Sequence, residues 1–199
     1  MKPSDLKVMV GSTVYGFENE LQGICNTIST YDYQVLNSHL GKIKVDPRKS
    51  NLENCLEAVR ECNLFLGIIR PFYGSGNINE KSIAFEEIKL AMELKKPYWF
   101  LVHHDVVFTR QLIRKCKAIG PNGNELNAAI KIERSSVFDQ RVLDVYDFVI
   151  KENEKIALRL GNWAQQFYTL DDALTFVKEQ FSDFSFIQSL LPADEIQEG

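Results

Sequence analysis

The six residues Leu64-Phe-Leu-Gly-Ile-Ile69 carry no polar side chain. A short unbroken apolar run suits a β-strand that is covered on both faces, because neither set of alternating side chains can meet water. Such a strand calls for a parallel sheet with helices above and below it. That requirement constrains the fold more than any other stretch of the chain.

The rest of the first half meets it. Lys7-Val-Met-Val-Gly-Ser12 reads as a strand that stops at a small polar corner, and Phe17, Leu21, Ile24 and Ile28 follow at helical spacing. Tyr33–Leu36 is a second strand. Residues 38–49 have no periodicity and include Gly41 and Asp46-Pro47, which marks a loop. Ser50-Asn-Leu-Glu53 is a capping box, and Leu52, Leu56 and Val59 carry its helix to about Cys62. A helix over Ser82–Lys96 ends at Pro97, and Tyr98–Val102 forms another buried strand.

A turn-rich break at Gly120–Gly123 precedes a mostly helical insertion over about 137–160. Trp163–Tyr168 is a last strand, and Thr169 caps a helix with Leu174, Val177 and Phe181 inward. The expectation is one α/β domain over residues 1–187, with a five-stranded, mostly parallel, doubly wound sheet in the order 2-1-3-4-5. The acidic tail, 188–199, should fray.

Composition narrows the function classes. The 199 residues are 45% hydrophobic, enough for a core without disulfide or metal staples. Lys and Arg number 23 against 27 Asp and Glu, a formal charge of −4, with no dense basic run to neutralise nucleic-acid phosphates. Cys25, Cys55, Cys62 and Cys116 lack metal-ligand spacing, and Cys55 and Cys62 read as core packing. With no signal peptide and no apolar run of membrane-spanning length, a reduced, cytoplasmic location away from membranes is expected.

One residue breaks the pattern. In the helix over Ser82–Lys96, Glu86, Lys89, Glu93 and Lys96 form an ordinary solvated stripe. Glu87 instead has Ile83, Ala84, Leu90 and Ala91 as its neighbours three and four positions away. A carboxylate on an apolar arc is either a structural acid tied to a nearby backbone group or a catalytic or ligand-binding acid facing a cavity.

Ligands of open parallel sheets bind beyond the carboxyl ends of the strands. Three segments should meet there. Gly11-Ser12-Thr13 can hold a phosphate at a helix start. Arg70-Pro-Phe72-Tyr73-Gly74-Ser-Gly76 brings rings to stack on, although Phe72 and Tyr73 also suit the edge of a core. Glu87 is the third, with Ser82 at the start of its helix. His103 and His104, adjacent at the end of a strand, should point to opposite faces and so share no metal. Trp99 and Trp163 are expected in the core.

These motifs occur in an order that resembles an uncharacterised bacterial family of domains like the Toll/interleukin-1-receptor (TIR) domain, with a flavodoxin-like sheet. The match runs through Val8–Thr13 with Glu18-Asn-Glu20, Glu61–Ile69, Tyr73-Gly74, Ser82-Ile83, Glu87, Ala91 and Lys96-Pro97, and ends at Trp163 with Asp171-Asp172. Phe72, Ala84 and Phe85 depart from it, where the family often has arginine, threonine and an acid. The layout is also similar to that of nucleoside 2-deoxyribosyltransferases and TIR-domain NAD hydrolases, and both resemblances place the essential acid at Glu87.

The resemblance implies cleavage of the N-glycosidic bond of NAD, as substrate and with no other cofactor, giving nicotinamide and an ADP-ribose product in bacterial antiviral defence. A deoxyribosyltransferase-like enzyme and a non-catalytic assembly or sensing module are the alternatives. It further implies self-association, with the loop 38–49, including Asp46 and Arg48, as the contact segment.

Overall fold

The computed structural model describes residues 1–74, 82–116, 118–119, 125–126 and 137–192. Five strands form one all-parallel sheet: β1 (Lys7–Ser12), β2 (Gln34–Leu36), β3 (Leu64–Ile69), β4 (Tyr98–His103) and, last in the chain, β7 (Ala164–Phe167). Their spatial order is β2-β1-β3-β4-β7, which is 2-1-3-4-5 among the sheet strands, as expected. The fold is flavodoxin-like, with helices on both faces. Two-residue strands β5 (Ala118–Ile119) and β6 (Glu125–Leu126) pair antiparallel outside it. The turn expected at Gly120–Gly123 lies outside the described residues.

Strand alternation divides the core in two. Val8 and Val10 of β1, Leu64, Leu66 and Ile68 of β3 and Leu101 of β4 face α1 (Glu18–Ser29), α6 (Leu170–Phe181) and α7 (Phe184–Leu190). Met9, Phe65, Ile69, Phe100 and Val102 face α2 (Asn51–Glu61), α3 (Ile83–Glu93), α4 (His104–Lys115) and α5 (Val142–Val149). All six residues of β3 are buried, as a central strand requires. Gly67 on the second face leaves room for the Phe100 ring, which would lie 2.8 Å from an added Cβ.

Local signals set the helix ends. Ser50 and Glu53 close the capping box of α2, and Thr169 with Asp172 closes that of α6. At the end of α3, Lys95 turns into the left-handed region (φ 54°) two residues before Pro97. The segment 137–160 contains α5 and a short 3₁₀ turn (Ile156–Leu158). Arg114 bonds Glu152 (2.8 Å) and Arg110 bonds Asp147 and Glu152, fastening α4 to the far end of α5.

Three expectations are corrected. The chain stays ordered just past Ile187: α7 runs to Leu190 and Leu191 is buried, because Ile187 and Leu191 complete the first core, while residues 193–199 of the expected frayed tail lie outside the described residues. Trp163 is not in the core but 72% exposed, whereas Trp99 packs against the first core and donates to Gln180 Oε1 (3.1 Å). His103 and His104 are not consecutive strand residues, since α4 begins at His104. Their rings therefore lie together (centroids 4.7 Å), and with Asp105 they bring potential ligand atoms within 4.8 Å of one another. Among the described residues no helix is long and apolar enough to cross a membrane.

Candidate functional site

Strand order reverses at β1, whose neighbours are β2 on one side and β3 on the other. A cavity of about 740 Å³ opens beyond the carboxyl ends of β1 and β3, where such a crevice should lie. Ser12, Thr13 and Tyr15 form one wall, and Phe72, Tyr73 and Gly74 another. Ser82 and Glu87 come in from α3. Of the expected site residues, Ser12, Thr13, Phe72, Tyr73, Gly74, Ser82 and Glu87 thus share one cavity. Residues 75–76 of the glycine-rich loop lie outside the described residues.

Glu87 is 3% exposed and faces the end of β1. A Cβ added to Gly11 would lie 2.7 Å from Glu87 Oε2, so the carboxyl occupies space that only glycine leaves free there. Burial pushes the Glu87 carboxyl up to about 8, partly offset by a hydrogen bond with the Cys55 thiol. Burial and then the Glu87 charge push Cys55 up to about 12. At neutral pH Glu87 is mostly a protonated acid, one that ionises readily if positive charge develops beside it.

Arg70 does a different job from the one expected. Its guanidinium donates to the carbonyls of Thr13 (3.1 Å), Tyr15 (3.0 Å) and Gly16 (3.3 Å) and lies 4.3 Å from the centre of the Phe17 ring. The reason is strand parity: residue 70 follows 64, 66 and 68 onto the α1 face, opposite to Glu87. Arg70 shapes the loop after β1 without lining the cavity. Thr13, by contrast, lines the cavity, and its buried hydroxyl has no hydrogen-bond partner among the described residues.

The far wall comes from residues that periodicity did not single out. Ser38, His39, Ile43 and Val45 of the loop 38–49 line it, with Asn51, Asn54 and Cys55 of α2. Two buried asparagines hold that loop. Asn37 donates to the Val10 carbonyl (2.9 Å) and accepts from the Leu40 amide (3.0 Å). Asn54 accepts from the Asp46 amide (2.8 Å) and donates to the Ser50 carbonyl (3.0 Å). A polar residue such as Asn54 among the inward positions of an amphipathic helix was the available clue.

Cys55 is buried, as core packing predicts, but it also meets the acid. Asp139 closes the rim: its amide donates to the Pro71 carbonyl (2.8 Å) and its carboxylate pairs with Arg141 (2.7 Å), which lies over the Tyr73 ring. In the outer part of the loop, Arg48 is paired with Asp46 (2.8 Å).

The cavity joins the buried Glu87 and the Arg141-paired Asp139 to hydroxyls, carboxamides and aromatic rings, which suits a ligand with a flat ring and a hydroxylated sugar. No curated protein and no solved structure matches the chain. The model of one protein family, described as a domain of unknown function (DUF4062), matches residues 7–154, from the first residue of β1 through α5 and covering every residue named in the cavity. The chain belongs to this family, whose function is uncharacterised.

Proposed function

We propose that the chain cleaves the N-glycosidic bond of a ribose- or deoxyribose-containing compound, NAD or a nucleoside, with Glu87 as the catalytic acid. The observation that carries the reading is the Glu87 carboxyl, which is buried, lines a cavity at the reversal point of the sheet and bonds a thiol, where the cavity's other buried acid, Asp139, pairs with Arg141. A purely structural position would gain stability from an apolar residue, whereas charge beside an oxocarbenium-like sugar is valuable in a dry site. The resemblance of the motif order to TIR-domain NAD hydrolases and nucleoside 2-deoxyribosyltransferases points to the same acid.

The bond from C1′ to the base nitrogen breaks and its electron pair leaves with the base. Ionised Glu87 stabilises the sugar cation or attacks C1′; water then adds its oxygen at C1′, displacing Glu87 where it has bonded there, and its proton passes to the freed carboxylate or to solvent. A neutral purine must gain a proton as it leaves, and protonated Glu87 can give it. A nicotinamide leaves already neutral, so for that substrate Glu87 must be ionised.

The test measures base release from NAD, nicotinamide riboside and adenosine by parent and Glu87→Gln. We expect the parent to release base and the variant to lose at least about 10²-fold, equivalent to about 2.7 kcal/mol of transition-state stabilisation. With Glu87 near 8, nicotinamide release should rise through that pH and adenine release should fall. Full turnover by Glu87→Gln would falsify the assignment. A parent inert toward all three compounds favours a non-catalytic module.

A further inference from the structure

The cavity is poor in positive charge. Among the described residues, its lining includes no lysine or arginine, while Glu87 and Asp139 both contribute carboxyl groups. The two guanidiniums nearby are engaged elsewhere: Arg70 on the three carbonyls of the loop after β1, and Arg141 on Asp139 and over Tyr73.

Backbone amides are the other way to hold a phosphate, and the three helix starts around the cavity are capped by the chain itself. At α1, Glu18 accepts from the Gly16 amide (3.2 Å), and the backbone amides of Glu18, Gly16 and Phe17 hold its carboxyl below the usual range. At α2, Ser50 Oγ accepts from the Glu53 amide (3.2 Å) while Glu53 accepts from the Ser50 amide (2.8 Å). At α3, Ser82 Oγ accepts from the Phe85 amide (3.3 Å). The acids Glu18, Glu53 and Glu86 in these first turns would repel a second anion. The sequence-based expectation that Gly11-Ser12-Thr13 holds a phosphate at a helix start therefore meets an obstacle: α1 begins only at Glu18, behind its own carboxylate.

What the lining does offer is neutral. Ser12, which donates to the Thr13 carbonyl (3.0 Å) and keeps its acceptor lone pairs, and Ser38 line the cavity with hydroxyls, and the buried Thr13 hydroxyl has no partner among the described residues. Such groups match the hydroxyls of a sugar, and a flat base can lie against Phe72 or Tyr73. From charge and capping together, and resting on the N-glycosidic reading above, we infer that the cavity selects phosphate-free N-glycosides, the nucleoside class, over their 5′-phosphates and over dinucleotides. A cationic base such as nicotinamide is favoured further, because it brings positive charge to Glu87.

The experiment compares two pairs that differ only in the phosphate, nicotinamide riboside with its 5′-phosphate and adenosine with its 5′-phosphate, using titration calorimetry with the full chain at low salt. In each pair the phosphate-free member should bind at least 10-fold tighter, and the gap should narrow as salt screens the repulsion. Equal or tighter binding of the phosphates overturns the inference, as does a failure of all four compounds to bind. Base release is followed in the same samples, so the two ideas fail separately. The expected affinity order without release defeats cleavage but leaves the selectivity standing, and release with the reverse order defeats the selectivity alone.

Discussion

The two faces of the sheet are built to different ends. On the α1, α6 and α7 face, β1 and β3 contribute Val8, Val10, Leu64, Leu66 and Ile68 to an apolar core, with Arg70 as a buried polar residue just past the end of β3. On the α2–α5 face the same strands contribute Met9, Gly11, Phe65, Gly67 and Ile69. There two glycines replace side chains, and Glu87, Cys55 and Asn54 are buried close to the strand ends. One face is packed for stability, and the other gives up packing to hold an acid beside a cavity. The contrast teaches that a buried polar group can mark a site once it is known which face it lies on.

The largest effects should have opposite signs on the two faces. Leu66→Ala removes a fully buried side chain and should cost about 2–5 kcal/mol in denaturant unfolding, with activity per folded molecule unchanged. Glu87→Gln should stabilise. The Glu87 carboxyl is raised in the folded state, so its contribution is fully present below the ordinary value of 4.5 and is lost as pH rises through about 8. The variant's advantage should thus grow across that window to as much as about 5 kcal/mol. Equal unfolding free energies of parent and variant at pH 8.5 would remove Glu87 from the set of buried, desolvated acids.

Glycines on the two faces should respond differently, by smaller amounts. Gly11→Ala forces Glu87 or Phe65 to move and should cost about 1–3 kcal/mol while displacing the carboxyl, so base release falls in a protein that still folds. Gly23→Ala, inside α1 with only Leu170 in ordinary contact, should stabilise by about 0.5–1 kcal/mol. Smallest of all, Arg48→Ala removes an exposed pair with Asp46 and should leave the denaturant midpoint essentially unchanged, because solvent screens such a pair. Light scattering across a concentration series would show whether the same variant weakens self-association; an unchanged mass would end the case for this loop as a subunit contact.

Much of the fold was legible because its signals are periodic. The run Leu64–Ile69 and the capping boxes at Ser50 and Thr169 each specify an element locally, and Glu87 stood out because helical periodicity defines what its neighbours should be. Helix α4 was not legible: only Val106 among its residues is buried, so no apolar stripe announces it. The role of Arg70 was hidden for a related reason, since a loop sequence does not reveal which face its last strand residue serves. Cys55 read as core because a thiol is apolar enough to be core, and only the packing of α2 against α3 shows that it meets an acid. Trp163 misled through its size, as large rings are usually buried.

The guanidinium of Arg70 bonds three carbonyls of one short loop, those of Thr13, Tyr15 and Gly16, before any ligand arrives. A wall set in this way needs little reorganisation, so its conformational entropy is already lost in the empty protein. Association should then be a single fast step without a slow closing phase on this side. The Arg70→Lys change, which keeps charge but cannot reach three carbonyls with one planar fork, should convert that step into one limited by the reshaping of residues 13–16.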